Sequence, residues 1–276
     1  MDGFALSVPE RGRTPVIVEV PHAGTEIPDS LRDEILAQPD ALLRDADLFV
    51  DRLYQGAPRL GATLLAARTS RYVVDLNRSA DDIDLDAGHE FLAPARPQPR
   101  GVVWRVTADG RPLLKHPLDR PALEQRLRDY HAPYHTSLAQ QLLRTRNEFG
   151  FALLLAAHSM PSAVRRAGRD VERRADIVPG SLGRSSAHPA VIDLVDRHFR
   201  AAGLSVRHDE PYRGGYTTAH YGRPQHGQHA IQIELNRALY MDEATCRQKP
   251  GDFERLQQVL ETLVVSLGKL SQRDLT

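Results

Sequence analysis

Four short, mostly apolar runs end in polar side chains, and this pattern constrains the fold more than any other feature of the sequence. The runs have the length of buried strands and cover residues 16–20, 72–74, 151–157 and 230–233. The polar residues that follow them are, in order, Pro21-His22, Asp75-Leu76-Asn77-Arg78, His158-Ser159 and Glu234. Sites in α/β sheets lie outside the carboxyl ends of the strands. The pattern therefore predicts an α/β fold with a functional site at one sheet edge.

Strand-like and helix-like segments alternate along the chain, which predicts a parallel or mixed sheet covered by helices. The predicted strands are 16–20, 61–66, 72–76, 151–157, 204–207 and 229–235. The predicted helices are 40–54, 121–148, 188–202 and 251–270, joined by a polar excursion at 79–120, a basic loop at 163–175 and a site loop at 211–228. Because we find neither an internal repeat nor a linker-like change of composition, we expect a single domain covering residues 1–276.

Composition excludes several functional classes. Lys plus Arg and Asp plus Glu number 36 each, so no net charge favours nucleic acid or an acidic membrane surface. No stretch reaches the roughly 18 apolar residues of a membrane span, and the first residues do not resemble a signal peptide. A lone cysteine, Cys246, fits a reducing compartment. We expect a cytoplasmic protein without nucleic-acid or membrane partners; a homo-oligomer remains compatible with the sequence.

Two strand-end histidines suggest a metal centre. A catalytic zinc takes three protein ligands from His, Asp or Glu and keeps one position open for water. His22 and His158 both follow apolar runs, although each read alone is more often a satisfied polar group. This reasoning does not identify the carboxylate that would be the third ligand. The candidates are Glu26, Asp45, Asp47 and Asp51.

Glu234 and the pair Asn77-Arg78 suggest the rest of a hydrolytic site. A carboxylate that continues an apolar strand must be paired, metal-bound or placed at a site edge, because burying it alone is costly. Glu234 is therefore a candidate proton carrier beside a metal-bound water, and a buried salt bridge is the alternative. Arg78, with Asn77 and nearby Arg71, suits the capture of a carboxylate, and a surface ion pair is the alternative.

Other motifs are weaker or absent. His131 and His135 have helical i, i+4 spacing, but Pro133 lies between them and the helical zinc-protease motif is missing, which favours a structural role. His220 and His229 flank the Gly-rich segment and are candidates for lining the site. The sequence has no Gly-x-Ser-x-Gly and no phosphate-binding Gly-rich loop ending in Lys, which disfavours a serine hydrolase and a nucleotide-dependent enzyme.

Taken together, these motifs resemble the N-formylglutamate amidohydrolase (deformylase) family over nearly the whole chain. The matching segments are 21–28, 45–47 with 52–54, 70–78, 134–135, 158–160, 214–218, 220–222 and 229–235. The resemblance implies a three-layer α/β/α fold with a mixed, mostly parallel sheet, similar to the zinc carboxypeptidases and the aspartoacylase group, a phosphorylase/hydrolase-like architecture.

The resemblance also implies a role for each site residue. His22 and His158 would ligate Zn²⁺ or another divalent metal, and Glu234 would be the catalytic base. Thr25 stands where the carboxypeptidase pattern has a Glu ligand, so we favour Asp47, from the family's paired-aspartate segment, with Glu26 next. The implied substrate-binding residues are Arg71, Asn77, Arg78, Tyr216 and His220.

The implied reaction is the hydrolysis of an N-formyl or other N-acyl group from an acidic amino acid such as N-formyl-L-glutamate, a step of histidine degradation. Ala156 stands where histidine-degrading members have Asp, and the segment 82–105 differs from theirs. Another N-acyl amino acid, a carboxypeptidase-like activity and a non-catalytic carboxylate-binding protein are the alternatives.

Overall fold

The computed structural model describes residues 3–83, 100–165 and 171–276. The strands are β1 Phe4–Ser7, β2 Val16–Val20, β3 Thr63–Ala67, β4 Ala152–Met160, β5 Ala163–Arg165, β6 Val171–Arg173, β7 Ile177–Gly180, β8 Gln228–Asn236, β9 Met241–Asp242 and β10 Arg247–Gln248. The α-helices are α1 Pro39–Asp45, α2 Val50–Leu53, α3 Arg120–Arg126, α4 Ala132–Phe149, α5 Pro189–Ala201, α6 Tyr216–Tyr221 and α7 Asp252–Gly268. Most of the divergent segment 82–105 lies outside the described residues.

A six-stranded sheet has the order β1-β3-β2-β4-β8-β7. β4 pairs in parallel with β2 and with β8, whereas β7 runs antiparallel to β8. The predicted α/β fold with a mixed, mostly parallel sheet is confirmed. β2 and β4 are buried along their whole length, which explains their nearly continuous apolar sequences, since both faces of such strands are covered.

The chain forms two compact units. One consists of Met1–Ala5, Pro21–Leu48 and Ala66–Gln140, and the other of Leu6–Val20, Phe49–Leu65 and Gln141–Thr276. In the second unit α6 packs on β4 and β8, and α7 packs on β2 and α5. The prediction of a single domain stays a prediction. Across the described residues, no helix is both long enough and apolar enough to cross a membrane.

The helix predicted over residues 40–54 is interrupted. α1 ends at Asp45, Ala46 is extended, and Phe49 adopts a left-handed conformation with φ of +67° before α2 begins. The Asp47 amide donates to the His22 carbonyl at 2.9 Å instead of continuing a helix. The apolar spacing was helical, but this long-range hydrogen bond takes Asp47 out of the helix.

The strand predicted at 72–76 is wrong, because these residues form turns. The amides of Tyr72 and Val73 bond back to the Ser70 hydroxyl and carbonyl, and the Asp75 amide donates to the Val102 carbonyl at 2.7 Å. The strand predicted at 204–207 is also wrong, since Val206 makes only an isolated bridge to Ile177. Within the predicted loop 211–228 lies the short helix α6.

The long helix predicted at 121–148 has the expected extent. A π-helical segment, Leu127–His131, joins α3 to α4 and places a wider turn just before Pro133. Proline lacks an amide proton and its ring clashes with the carbonyl four residues earlier, so a wider turn accommodates it. The Asp119 side chain caps the start of α3 by accepting from the Ala122 amide at 2.8 Å.

Candidate metal centre and carboxylate-binding loop

His22 lies two residues beyond the end of β2 and is held in one orientation. Its Nε2 lies 2.7 Å from Asp75 Oδ1, and its Nδ1 lies 3.6 Å from Asp47 Oδ2. An ionised carboxylate can only accept a hydrogen bond, so Nε2 carries the proton. In the neutral ring Nδ1 is then the unprotonated nitrogen, which is the form that binds a metal.

Asp75 is fully buried and accepts hydrogen bonds on both oxygens. Oδ1 accepts from His22 Nε2 and from the Asn77 amide at 2.9 Å, while Oδ2 accepts from Arg71 Nη2 at 2.7 Å and Trp104 Nε1 at 2.9 Å. Burial alone would raise the pKa of Asp75, but the charge of Arg71 and the hydrogen bond from His22 outweigh it and hold that pKa well below its usual range. The carboxylate is therefore ionised whenever the protein is folded near neutral pH.

The two aspartates of the segment 45–47 have different surroundings. Asp45 Oδ2 accepts from the Tyr72 hydroxyl and from the Ala108 amide, both at 2.7 Å, so it holds local structure. Asp47 is buried, with its Oδ2 beside His22. Glu26 is exposed and Asp51 is half-buried, and neither belongs to the metal-ligand cluster found among the described residues.

His158 and Glu234 lie on neighbouring parallel strands, directly opposite each other in the register of β4 and β8. Both side chains are buried. Gln232, two residues earlier on the same face of β8, donates from Nε2 to Glu234 Oε1 at 2.8 Å. Gln232 Oε1 in turn accepts from the Gly215 amide at 2.8 Å, which ties Glu234 to the start of α6.

One ligand atom each from His22, Asp47 and His158 lie within 4.8 Å of one another, and all three residues are buried. Two imidazole nitrogens and one carboxylate oxygen match the donor set of a catalytic zinc site, which leaves a further position open. The donor types and the orientation of His22 by Asp75 therefore fit a divalent metal. These are the three residues that the sequence predicted as ligands; their role as ligands stays a prediction.

Asn77 and Arg78 lie in a tight loop after Asp75. The Arg78 amide donates to the Asp75 carbonyl at 3.2 Å, and the loop carbonyls of Leu76 and Arg78 accept from His135 and His131. Burial lowers the pKa of His131, and its bond to the Arg78 carbonyl opposes this shift. Both Asn77 and Arg78 are half-buried, so a solute can reach them.

Arg71 has a different set of contacts from Arg78. Its Nη2 pairs with Asp75, and its guanidinium lies over the Trp104 ring, 4.3 Å from the centroid. These contacts position Asp75, and substrate binding by Arg71 stays a prediction.

Tyr216 and His220 lie one turn apart on α6 with their rings stacked, the centroids 4.9 Å apart. Partial burial, followed by the charge of Arg223, lowers the pKa of His220. Substrate binding by these two residues also stays a prediction.

Sequence reasoning missed Asp75 and Gln232 as individual residues. A usable signal existed for Gln232, since residues two apart on a strand face the same side and Glu234 was already singled out. Asp75 had a weaker signal, because its position after an apolar run was shared with Asn77 and Arg78. Trp104, whose indole binds Asp75, had none.

Fold and site together define an α/β protein with a candidate divalent-metal centre beside an Arg-bearing loop. The family model for N-formylglutamate amidohydrolase matches residues 14–241. The chain belongs to the N-formylglutamate amidohydrolase family.

Individual relatives agree with this assignment. An N-formylglutamate deformylase of Pseudomonas aeruginosa is 36% identical over 263 residues, which is 94% of each chain. One from Pseudomonas putida is 35% identical over 237 residues, 84% of each chain. The crystal structure of N-formylglutamate amidohydrolase from Ralstonia eutropha JMP134 superposes with a TM-score of 0.89 at 32% identity, over 99% of each chain.

Proposed function

We propose that the chain is a metal-dependent amidohydrolase that cleaves the formyl C–N bond of N-formyl-L-glutamate, releasing formate and L-glutamate. The family and the relatives named N-formylglutamate deformylase support the reaction. The observation that carries the proposal is the convergence of His22, Asp47 and His158 in one buried cluster. The predicted place in histidine degradation fits this reaction.

Three residues would hold the metal, which we propose is zinc: His22 through Nδ1, Asp47 through a carboxylate oxygen, and His158 through an imidazole nitrogen. A bound zinc ion supplies polarisation of the formyl oxygen and lowers the pKa of a coordinated water. Asp75 keeps His22 in the required tautomer by accepting the Nε2 proton. The cytoplasmic location and the oligomeric state stay predictions.

Glu234 would move the proton that the hydrolysis requires. Its carboxylate accepts a proton from the attacking water and delivers it to the leaving nitrogen, so that glutamate departs as an amine. The hydrogen bond from Gln232 Nε2 to Glu234 Oε1 orients the carboxylate.

Arg78 and Asn77 would bind the α-carboxylate of the substrate. A guanidinium binds a carboxylate through two parallel hydrogen bonds, which fixes orientation as well as position. The Asn77 backbone amide donates to Asp75 Oδ1, the oxygen that also orients His22. The geometry of the carboxylate-binding loop is thereby linked to that of the metal ligand.

A substrate panel with one variant tests the proposal. Wild-type protein should hydrolyse N-formyl-L-glutamate in preference to N-acetyl-L-glutamate and to dipeptides ending in glutamate. Glu234→Gln should retain the fold and the metal but lose turnover by about 10²–10⁴-fold, while Glu124→Gln, at an exposed position, should behave as wild type. Near-normal kcat in Glu234→Gln would contradict the proposal that Glu234 transfers the proton. Preference for another acyl group or for peptides would instead support the alternative substrates.

A further inference from the structure

Two histidines of the long helical segment contact the carboxylate-binding loop, Asp75–Arg78. His131 Nε2 lies 2.9 Å from the Arg78 carbonyl oxygen, and His135 Nε2 lies 3.0 Å from the Leu76 carbonyl oxygen. A carbonyl oxygen can only accept, so both imidazoles donate from Nε2. Each ring thus carries a proton on Nε2.

The spacing of donors matches the spacing of acceptors. Residues four apart on a helix lie on the same face, and the rings of His131 and His135 are 4.2 Å apart at their centroids. Their acceptors, Leu76 and Arg78, are two residues apart and flank Asn77. The pair therefore holds the backbone on both sides of the residue proposed to bind substrate together with Arg78.

The loop depends on such contacts because it is not part of a strand. Residues 71–78 lie in turns and irregular backbone, and the Asp75 carboxylate holds the loop through the Asn77 backbone amide. His131 and His135 hold it through the carbonyls of Arg78 and Leu76. The π-helical segment Leu127–His131 ends at the first of the two histidines, and such wide turns recur at functional sites.

We propose that His131 and His135 are positioning residues that fix the carboxylate-binding loop for the substrate α-carboxylate. This inference rests on the proposed function, because it assigns the loop to substrate binding. Loss of either donor leaves a carbonyl without its partner and allows the loop to move. Substrate affinity should then decline while the chemistry at the formyl group is retained.

Leucine and glutamine variants at both positions test this role. His131→Leu and His135→Leu should each raise KM for N-formyl-L-glutamate by about 3- to 10-fold, the value of one hydrogen bond, with kcat within about twofold. Gln presents an amide nitrogen near the position of Nε2, so His131→Gln and His135→Gln should recover most of the affinity. Neither leucine variant should change KM for the substrate whose α-carboxylate is replaced by a carboxamide.

His198→Leu is the matched control. His198 Nε2 also lies near a carbonyl, that of Val259 at 2.8 Å, but it holds α7 and not the loop. This variant should lower thermal stability without changing KM. In an Arg78→Ala background the two leucine substitutions should have no further effect on KM. Unchanged KM in His131→Leu and His135→Leu, or equal losses with the carboxamide substrate, would overturn the proposal.

Calorimetry separates this inference from the proposed function. If wild type does not hydrolyse N-formyl-L-glutamate, the proposed function fails, and the Kd for L-glutamate becomes the readout. Weaker glutamate binding in the leucine variants, with faster hydrogen exchange at amides 76–78, would still support the positioning role. Absence of glutamate binding to wild type, or equal binding by all variants, would overturn it.

Discussion

The Asp75 carboxylate joins two functions at the scale of a single residue. Its Oδ1 accepts from His22 Nε2 and from the Asn77 backbone amide, so one oxygen orients both a proposed metal ligand and the proposed carboxylate-binding loop. Oδ2 accepts from Arg71 Nη2 and Trp104 Nε1, so the donor-only NH2 group of an asparagine would face donors on whichever side it lies. We expect Asp75→Asn to weaken zinc binding by about 10- to 100-fold, measured by competition with a chelator.

Asp45→Asn provides the control for that measurement. Asp45 is also a buried aspartate, but it bonds Tyr72 and Ala108. This variant should lose stability and keep its zinc affinity. Wild-type zinc affinity in Asp75→Asn, or an equal loss in Asp45→Asn, would show that Asp75 does not orient the ligand.

Arg78 should determine affinity for the substrate carboxylate. A charge-assisted contact of this kind contributes on the order of 1.5–3 kcal/mol, so Arg78→Ala should raise KM by roughly 10- to 150-fold. Arg78→Lys should recover little, because lysine lacks the planar fork. With wild type, replacing the substrate α-carboxylate by a carboxamide should raise KM by a similar factor. With Arg78→Ala, the same replacement should not raise KM further, as measured by steady-state kinetics. Equal losses in both proteins would mean that Arg78 does not contact the carboxylate.

Residues that touch a proposed ligand were predictable, whereas residues that act through others mostly were not. His22, His158 and Glu234 each stand where an apolar run meets a polar side chain, and this signal is local. Asp75 owes its role to partners far apart in sequence, His22 and Trp104. No local pattern carries that information.

At the scale of the element, strand β2 contains a carboxylate in its interior. Glu19 is fully buried, and burial raises its pKa to about 7, although the Thr217 side chain and the charge of His158 oppose the shift. In the unfolded chain its pKa returns to about 4.5. Below pH 4.5 the carboxyl is protonated in both states, whereas between about 4.5 and 7 only the unfolded chain releases the proton.

Stability should therefore decline as the pH rises through this window and stay lower above it. The difference in pKa corresponds to about 3 kcal/mol, and Glu19→Gln should lack this part of the pH dependence. Denaturant unfolding of chelator-treated protein at pH 5 and pH 8 measures the effect, with the exposed Glu124→Gln as control. Parallel pH profiles for wild type and Glu19→Gln would contradict the assignment.

Elements with long, regular patterns were predicted well, and those set by distant hydrogen bonds were not. The apolar runs of β2, β4 and β8 and the amphipathic spacing of α5 and α7 gave nearly correct positions. The segment 72–76 has the composition of a strand, yet its amides bond to Ser70 and Val102. Composition cannot reveal that these partners compete with a strand neighbour.

At the scale of the whole molecule, the order of the strands in the sheet could not be predicted from the sequence. The order β1-β3-β2-β4-β8-β7 places β4 beside β2 and β8, strands that lie far from it along the chain. The register of β4 and β8 then places His158 opposite Glu234. Alternation of strands and helices predicts a mixed sheet, but pairing depends on long-range packing that no single segment encodes.

Reconstitution of the metal-free protein with zinc tests the central claim most directly. Hydrolysis of N-formyl-L-glutamate should vanish after chelation and return in proportion to added zinc. The plot of activity against added zinc should level off at about one ion per chain, which gives a break in the curve. His158→Ala, correctly folded by circular dichroism, should show no such break. Full turnover by protein verified as metal-free, or a wild-type break in His158→Ala, would contradict a metal centre built from His22, Asp47 and His158.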